Sequence, residues 1–331
     1  MIFLNIYNYK IFIESSHPQI DHRLNLEFDY FLSPIEDNFQ LKIKYNLQDT
    51  LASDLIPKNL KPTFQRSNSI TYDSNGIRWN NYYGKVISKF IAMESYCEFY
   101  GTDLDKLYEV IYLFILSRSG KFLDLNGLHK IHAFAFSKGN KAIVCMQPMR
   151  GGKSTLLTEI LKEKDVSVIS DDTPLFNLSG EILPFPLRMS LENLPRHLNL
   201  NQSDYFVLKR EFFKSKYSIA IKSFNRPICP KANNYILIEA KRSTYENPIL
   251  IRNSFLKKWQ SLMVHLVIGF GLPIIFEYFW EAGITDFFRK SKIFLSRLYL
   301  ATKLSLSKES YTLYLSEDST KNAALILDLM K

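Results

Sequence analysis

The chain has 331 residues, an ordinary apolar fraction of 46% and a formal charge of +9, which is enough length for two domains or one large one. The last 131 residues carry 20 basic against 11 acidic side chains, so the whole excess lies there; a basic N-terminal arm or an even nucleic-acid coat is excluded. Three scattered cysteines with no CxxC pair argue against a disulfide framework or a zinc cluster and point to a reduced, cytoplasmic setting.

The opening residues MIFLNIYNYKIFIESS alternate apolar with polar and lack a charged lead and a small-residue cleavage site. They predict strands rather than a signal peptide. Further strands are expected at 41–45 and 85–90, with a polar turn over 67–76. Thr102-Asp-Leu-Asp105 sets a threonine three residues ahead of an acid and an apolar-periodic run, which predicts a helix from there to about 117. Strands follow at 131–136 and 141–146 around a hairpin turn at 137–140, then a helix from 153 to about 164. A buried-type strand at 166–169 ends in Ser170-Asp171-Asp172, and residues 175–177 and 181–183 form a hairpin around Ser179-Gly180. From about 241 the pattern turns helical. The longest apolar run, 262–276, is interrupted by His265, Gly269, Gly271 and Pro273 and falls short of the ~20 residues a spanning helix needs. The expected division is a small β-rich domain over 1–100, a core over 101–245 and a helical C-terminal extension over 246–331.

Glycine is scarce, at 12 residues, so the adjacent pair in Gln147-Pro-Met-Arg-Gly-Gly-Lys-Ser-Thr155 stands out. A phosphate-binding loop reads GxxxxGK[ST] between a strand and a helix. Gly152, Lys153 and Ser154 match; Gln147 stands where the first glycine would be. Backbone N–H groups at a helix start attract phosphate oxygens, and the helix dipole adds to this. Lys153 would then reach the terminal phosphates and Ser154 would ligate Mg²⁺. A glycine helix cap gives a similar string, but the strand before, the helix after and the acidic strand end favour phosphate. Asp171 and Asp172 lie 18 and 19 residues beyond Lys153. One could organise a metal while the other accepts a proton from an attacking hydroxyl; taken alone, the pair reads as a turn into Thr173-Pro174.

Three stretches together resemble the HPr kinase/phosphorylase-like proteins: LHKIHAFAF at 128–136, AIVCMQPMRGGKSTL at 142–156 and VISDD at 168–172. ILPFPLR at 182–188 extends the match, and Gly269-Phe-Gly-Leu-Pro273 is a weaker echo. The resemblance covers residues 128–190 and implies an α/β fold: a mixed-sheet kinase domain of the phosphoenolpyruvate-carboxykinase-like type. It implies ATP- and Mg²⁺-dependent phosphorylation of a hydroxyl, usually a serine on a peptide or protein, with enzymes that modify ribosomally made peptides among the relatives. On this resemblance Gly151, Gly152, Lys153, Ser154 and Thr155 bind nucleotide, Ser154 and Asp172 hold Mg²⁺, and Asp171 is the base; Arg150, which like Gln147 stands where the family's loop has a glycine, either adds a phosphate contact or points into solvent. His132 sits 21 residues ahead of Lys153, at the spacing of the family's strand histidine, to orient or protonate near the transferred group; His129 reads as structural. The founding members are hexamers, which implies a homo-oligomer.

In the basic C-terminal part, Lys209, Arg210, Lys214, Lys216, Lys222, Arg226 and Lys231 interleave with Tyr205, Phe206, Phe212, Phe213, Tyr217 and Phe224. This is a solvated strand face over core aromatics, or a groove for phosphates in which Lys214 or Lys216 makes the contact. Residues 286–304 form an amphipathic helix pattern, with Phe287, Phe294, Leu298 and Ala301 on one face and Arg289, Lys290, Lys292, Arg297 and Lys303 on the polar side. Two other readings compete with the kinase: a non-catalytic nucleotide- or peptide-binding module, and a membrane-peripheral protein making weak surface contact through its basic helices. Nucleic acid is not an expected partner, because no recognition motif accompanies the charge.

Overall fold

The computed structural model describes residues 1–148, 151–195, 197–209, 214–269, 280–281 and 283–331. The chain parts into two compact units, Met1–Phe122 with Tyr278–Asp286, and Leu123–Glu277 with Phe287–Lys331. These replace the three segments expected from sequence.

The first unit contains β1 (Ile2–Ile6), β2 (Tyr9–Glu14), α1 (Pro18–Glu27), β3 (Leu41–Leu47), β4 (Phe64–Gln65), β5 (Ile70–Ser74), β6 (Ile77–Asn81), β7 (Val86–Ile91), β8 (Tyr96–Gly101) and most of α2 (Leu104–Leu125), whose last residues, from Leu123, belong to the second unit. Its eight strands make one mixed sheet in the order β1-β2-β3-β8-β7-β6-β5-β4, with β2, β3 and β8 parallel. The polar stretch 67–76 is not a single turn. It holds two turns with β5 between them: Ser67-Asn68, closed by Arg66 N–H donating to Ser69 O at 2.8 Å, and Asn75-Gly76, both at positive φ, as a two-residue hairpin requires, through which β5 pairs with β6. The cap of α2 is Asp103 rather than Thr102: its Oδ1 accepts the Lys106 N–H at 2.8 Å. The helix continues past 117 to Leu125, because Phe114, Ile115 and Leu123 keep one apolar face buried.

The second unit contains β9 (Leu128–Lys130), β10 (Ala133–Lys138), β11 (Lys141–Met146), α3 (Lys153–Ile160), β12 (Val166–Ser170), β13 (Leu175–Asn177), β14 (Ile182–Leu183), β15 (Met189–Leu191), β16 (Tyr205–Leu208), β17 (Lys216–Ile219), β18 (Tyr235–Arg242), β19 (Ile249–Arg252), α4 (Phe255–Leu262) with a π-helical turn Met263–Ile268, most of α5 (Ile284–Ser307), β20 (Ser310–Leu315) and α6 (Ser319–Asp328). The main sheet runs β12-β10-β11-β18-β20-β19, beside two three-stranded sheets, β14-β13-β9 and β15-β17-β16. The C-terminal segment is therefore not a helical extension: β20 pairs parallel with β18 and antiparallel with β19. Across the described residues the architecture is α/β, with mixed sheets and six α-helices.

Strand alternation builds two apolar layers on this sheet. Phe134, Phe136, Ile143 and Cys145 face Leu156, Leu157 and Ile160 of α3 and Ala323 and Ile326 of α6. Ala133, Ala135, Ala142 and Val144 face Leu262, Leu266, Leu300 and Leu304, where small side chains let helices approach closely. The strand expected at 131–136 breaks at His132: residues before it pair in another sheet, and β10 starts after it. Among the described residues no helix is long and apolar enough to cross a membrane.

Candidate functional site

Register brings the chemistry to one edge of the main sheet. In the β10–β11 hairpin Ala133 lies opposite Met146, and Ala135 pairs with Ser170 of β12. His132, Gln147 and Asp171, each one residue beyond a paired strand end, therefore emerge together. The segment around His132 is pinned from three directions: Ile131 N–H donates to Pro174 O, Ala133 N–H to Asp172 O and His132 N–H to His265 O, at 3.0–3.1 Å.

The loop after β11 is shaped by its two glycines. Gly152 has φ +96° and precedes α3, a conformation other residues rarely adopt. A Cβ on Gly151 would lie 2.7 Å from Gln147 Cγ and 2.8 Å from Pro148 O. Gln147 does not take positive φ in place of the missing glycine. Its buried side chain folds under the loop, and Nε2 donates to Gly151 O at 2.7 Å. Gly151 N–H donates to Pro148 O at 3.0 Å. Arg150 lies outside the described residues, as do Arg210, Phe212, Phe213 and Gly271–Pro273.

Helix α3 starts without a side-chain cap and without an acid in its first turn. Its first residue is a cation, Lys153, where the dipole is already positive. Lys153 Nζ donates to His132 Nε2 at 2.7 Å and lies 3.4 Å from Asp172 Oδ1. An ammonium has no lone pair, so His132 Nε2 is the acceptor and its proton belongs on Nδ1, which faces Asp172 Oδ1 at 3.5 Å. Burial holds the His132 imidazole below its ordinary pKa; Asp172 opposes and Lys153 assists that shift. The ring is neutral and positions Lys153.

Ser154 Oγ donates to Asp171 Oδ2 at 3.0 Å. Asp171 is 6% exposed, and its buried Oδ1 has no hydrogen-bond partner among the described residues. Burial and the neighbouring Asp172 push its carboxyl up to about 7, against the pull of Ser154, Lys153 and Lys216. The Asp172 side chain is 56% exposed. The structure thus seats Ser154 on Asp171 and not on Asp172, the partner expected for a shared metal. Thr155 is exposed in the first turn of α3. Among the two lysines singled out downstream, Lys216 on β17 is close enough for its charge to act on Asp171, whereas Lys214 is exposed. Among the described residues no three His, Cys, Asp or Glu side chains gather into a metal cage.

One residue escaped the sequence reading. His265, on the π-helical turn, lies with its ring parallel to that of His132 at 6.5 Å between centroids. Burial above all, with His132 and Lys153 beside it, pushes it down to about 4, so it is a neutral wall behind the His132–Lys153 pair. A π-turn inside a helix is a recurrent mark of functional sites; in the sequence, His265 was visible only as an interruption of an apolar run.

A second histidine cluster lies elsewhere in this unit. His129 Nδ1 is 2.7 Å from Asp124 Oδ1, and its Nε2 is 2.7 Å from Ser296 Oγ. The order resembles a hydrolase triad, but His129 is fully buried and Arg297 engages both oxygens of Asp124 at 2.9 and 2.8 Å. A carboxylate so occupied does not activate a histidine, and this network is structural. Arg297, expected on the polar side of its helix, is buried here and also donates to Lys130 O and Leu266 O.

No known family model matches the chain, and no curated protein matches it.

Proposed function

We propose that the chain is an ATP- and Mg²⁺-dependent kinase that transfers the γ-phosphoryl group to a hydroxyl, with a serine on a peptide or protein as the favoured acceptor. The observation that carries this reading is Lys153, a cation at the acid-free, uncapped start of α3 with Ser154 and Asp171 in contact beside it. Helix amides, an ammonium and an adjacent hydroxyl–carboxylate pair are what a nucleotide's phosphates and their cation require.

The oxygen set fits Mg²⁺, which takes one or two carboxylates and completes its shell with phosphate oxygens and water. Ser154 and Asp171 would hold it, since Asp171 Oδ1 is a buried acceptor without a partner among the described residues. When bound, the ion neutralises charge on the β- and γ-phosphates. Phosphate oxygens draw Lys153 away from His132 and Asp172, and the exposed Asp172 carboxylate is released to face the acceptor. It takes the hydroxyl proton as the new O–P bond forms and the bond to the ADP oxygen breaks; the proton then passes to solvent. This exchanges the roles that the resemblance implies for the two aspartates. A base must reach the acceptor hydroxyl, and the exposed carboxylate reaches further than the buried one.

Calorimetric titration with Mg-ATP, paired with transfer assays on serine peptides, tests the reading. Lys153→Ala is expected to weaken ATP binding or transfer about 100-fold, while Asp172→Asn keeps ATP affinity and loses transfer. Equal affinity and transfer in wild type and Lys153→Ala overturn it. A second reading, nucleotide binding without transfer, is favoured by the loop itself, because the Gly151 N–H is spent on Pro148 O. ATP affinity with no transfer, indifferent to Asp172→Asn, selects it.

A further inference from the structure

Helix α5 has two apolar faces within the second unit. On one, Leu300, Ala301 and Leu304 are buried in the layer against the main sheet, with Ile293 buried on the same side. The other faces water: Phe288, Leu295, Tyr299 and Leu306 are 58% to 72% exposed. This corrects the face expected from sequence, which grouped exposed Phe287 with buried Ala301. Steps of seven, four and seven residues keep these side chains in one stripe on a 3.6-residue helix. At 1.5 Å per residue the stripe is about 27 Å long. Scattered apolar side chains on a surface are ordinary, whereas a continuous stripe marks a contact.

Charge identifies the partner. Arg289 and Lys292 are exposed along one flank of the stripe, and Lys303 continues that flank while its Nζ donates to Leu178 O. Between Phe287 and Ser307 there is no acidic residue at all. A second copy related by a twofold axis would bring basic flanks together. We infer that this face of α5 lies in the plane of an anionic lipid surface. Phe288, Leu295, Tyr299 and Leu306 enter the boundary between headgroups and acyl chains, and Arg289 and Lys292 meet lipid phosphates. The contact lies in the plane of the bilayer, because α5 is not apolar enough to cross it. The inference is independent of the kinase reading, since no residue of the phosphate site is involved.

The test is vesicle sedimentation of the full chain, with phosphatidylcholine alone and with added phosphatidylserine, at low and high salt. The full chain is expected to bind the phosphatidylserine vesicles at low salt and to be released at high salt. Phe288→Ser with Leu295→Ser and Tyr299→Ser should abolish binding. Arg289→Gln with Lys292→Gln should weaken it about 25-fold, at roughly fivefold per charge. The charge variant leaves the apolar stripe intact, so it keeps the test decisive should the triple variant misfold. No binding to phosphatidylserine vesicles at low salt overturns the inference. So do unchanged binding in the triple variant and a self-association that the triple variant dissolves.

Discussion

Asp124 and Asp171 are both buried aspartates of the second unit beside a histidine or a hydroxyl, yet they end in opposite states. Asp124 has both oxygens engaged by Arg297 and one shared with His129. Asp171 has one oxygen on Ser154 and one with no partner among the described residues. Burial alone would raise both. At Asp124 the Arg297 guanidinium and His129 reverse it and hold the carboxyl below its ordinary range; at Asp171 burial prevails. A buried charge with its full set of partners is structure. Asp171 is instead a buried acceptor left short among the described residues, held by the serine that follows Lys153 at the start of α3.

The sharpest way to break this comparison is Arg297→Ala. It strands the Asp124 charge in the core and should cost about 3–5 kcal/mol in urea unfolding. A loss below about 1 kcal/mol would place the network outside the stability of the unit. Titration separates the two aspartates by sign. Asp124, with its folded pKa depressed, contributes stability above the unfolded value near ~3.9 and loses it as pH falls through the folded value. Asp171 does the reverse: the folded state holds a proton that the unfolded state releases, so stability drains away as pH rises from about 4 to about 7. In protein freed of nucleotide and cation, Asp171→Asn should remove that decline and be more stable at pH 8 by up to about 4 kcal/mol, at ~1.4 kcal/mol per unit. A wild type that is equally stable at both ends of this window would refute the buried-charge account. The smallest effect is expected at Gly151→Ala. The added methyl meets Gln147 and the Pro148 carbonyl and should cost about 1–3 kcal/mol, with the melting temperature as the readout. An unchanged melting temperature would show that the loop has room to move.

Much of the second unit was legible in the sequence. The strand at 141–146 coincides with β11, and the strand at 166–169 lies within β12. The glycine pair and the start of α3 fall where the GGKST run predicts them, though the helix ends at Ile160 rather than about 164. The helix start at Asp103 was misplaced by one residue, because threonine and aspartate are both good caps and only the geometry chooses. Strand β5 was hidden because its alternation is short, Ile70 and Tyr72 against Thr71 and Asp73, its buried face carries the polar Thr71, and the asparagines, serines and glycine around it read as turn residues.

What the sequence determined by itself is the local part. Lys153 and Ser154 open a helix behind a glycine pair, and Asp171-Asp172 end a buried strand, because helix-start preference and strand alternation act over a few residues; that Gly152 and not Gly151 takes positive φ is a property of the folded loop. Only the tertiary structure decided which aspartate Ser154 touches, that His265 backs His132, and that Arg297 is a core residue rather than a surface charge. Arg297 meets its carboxylate across 173 positions of chain, and β20 reaches β18 from the far end of the sequence. Pairing and burial over such separations depend on how whole layers pack, and no local pattern carries that information.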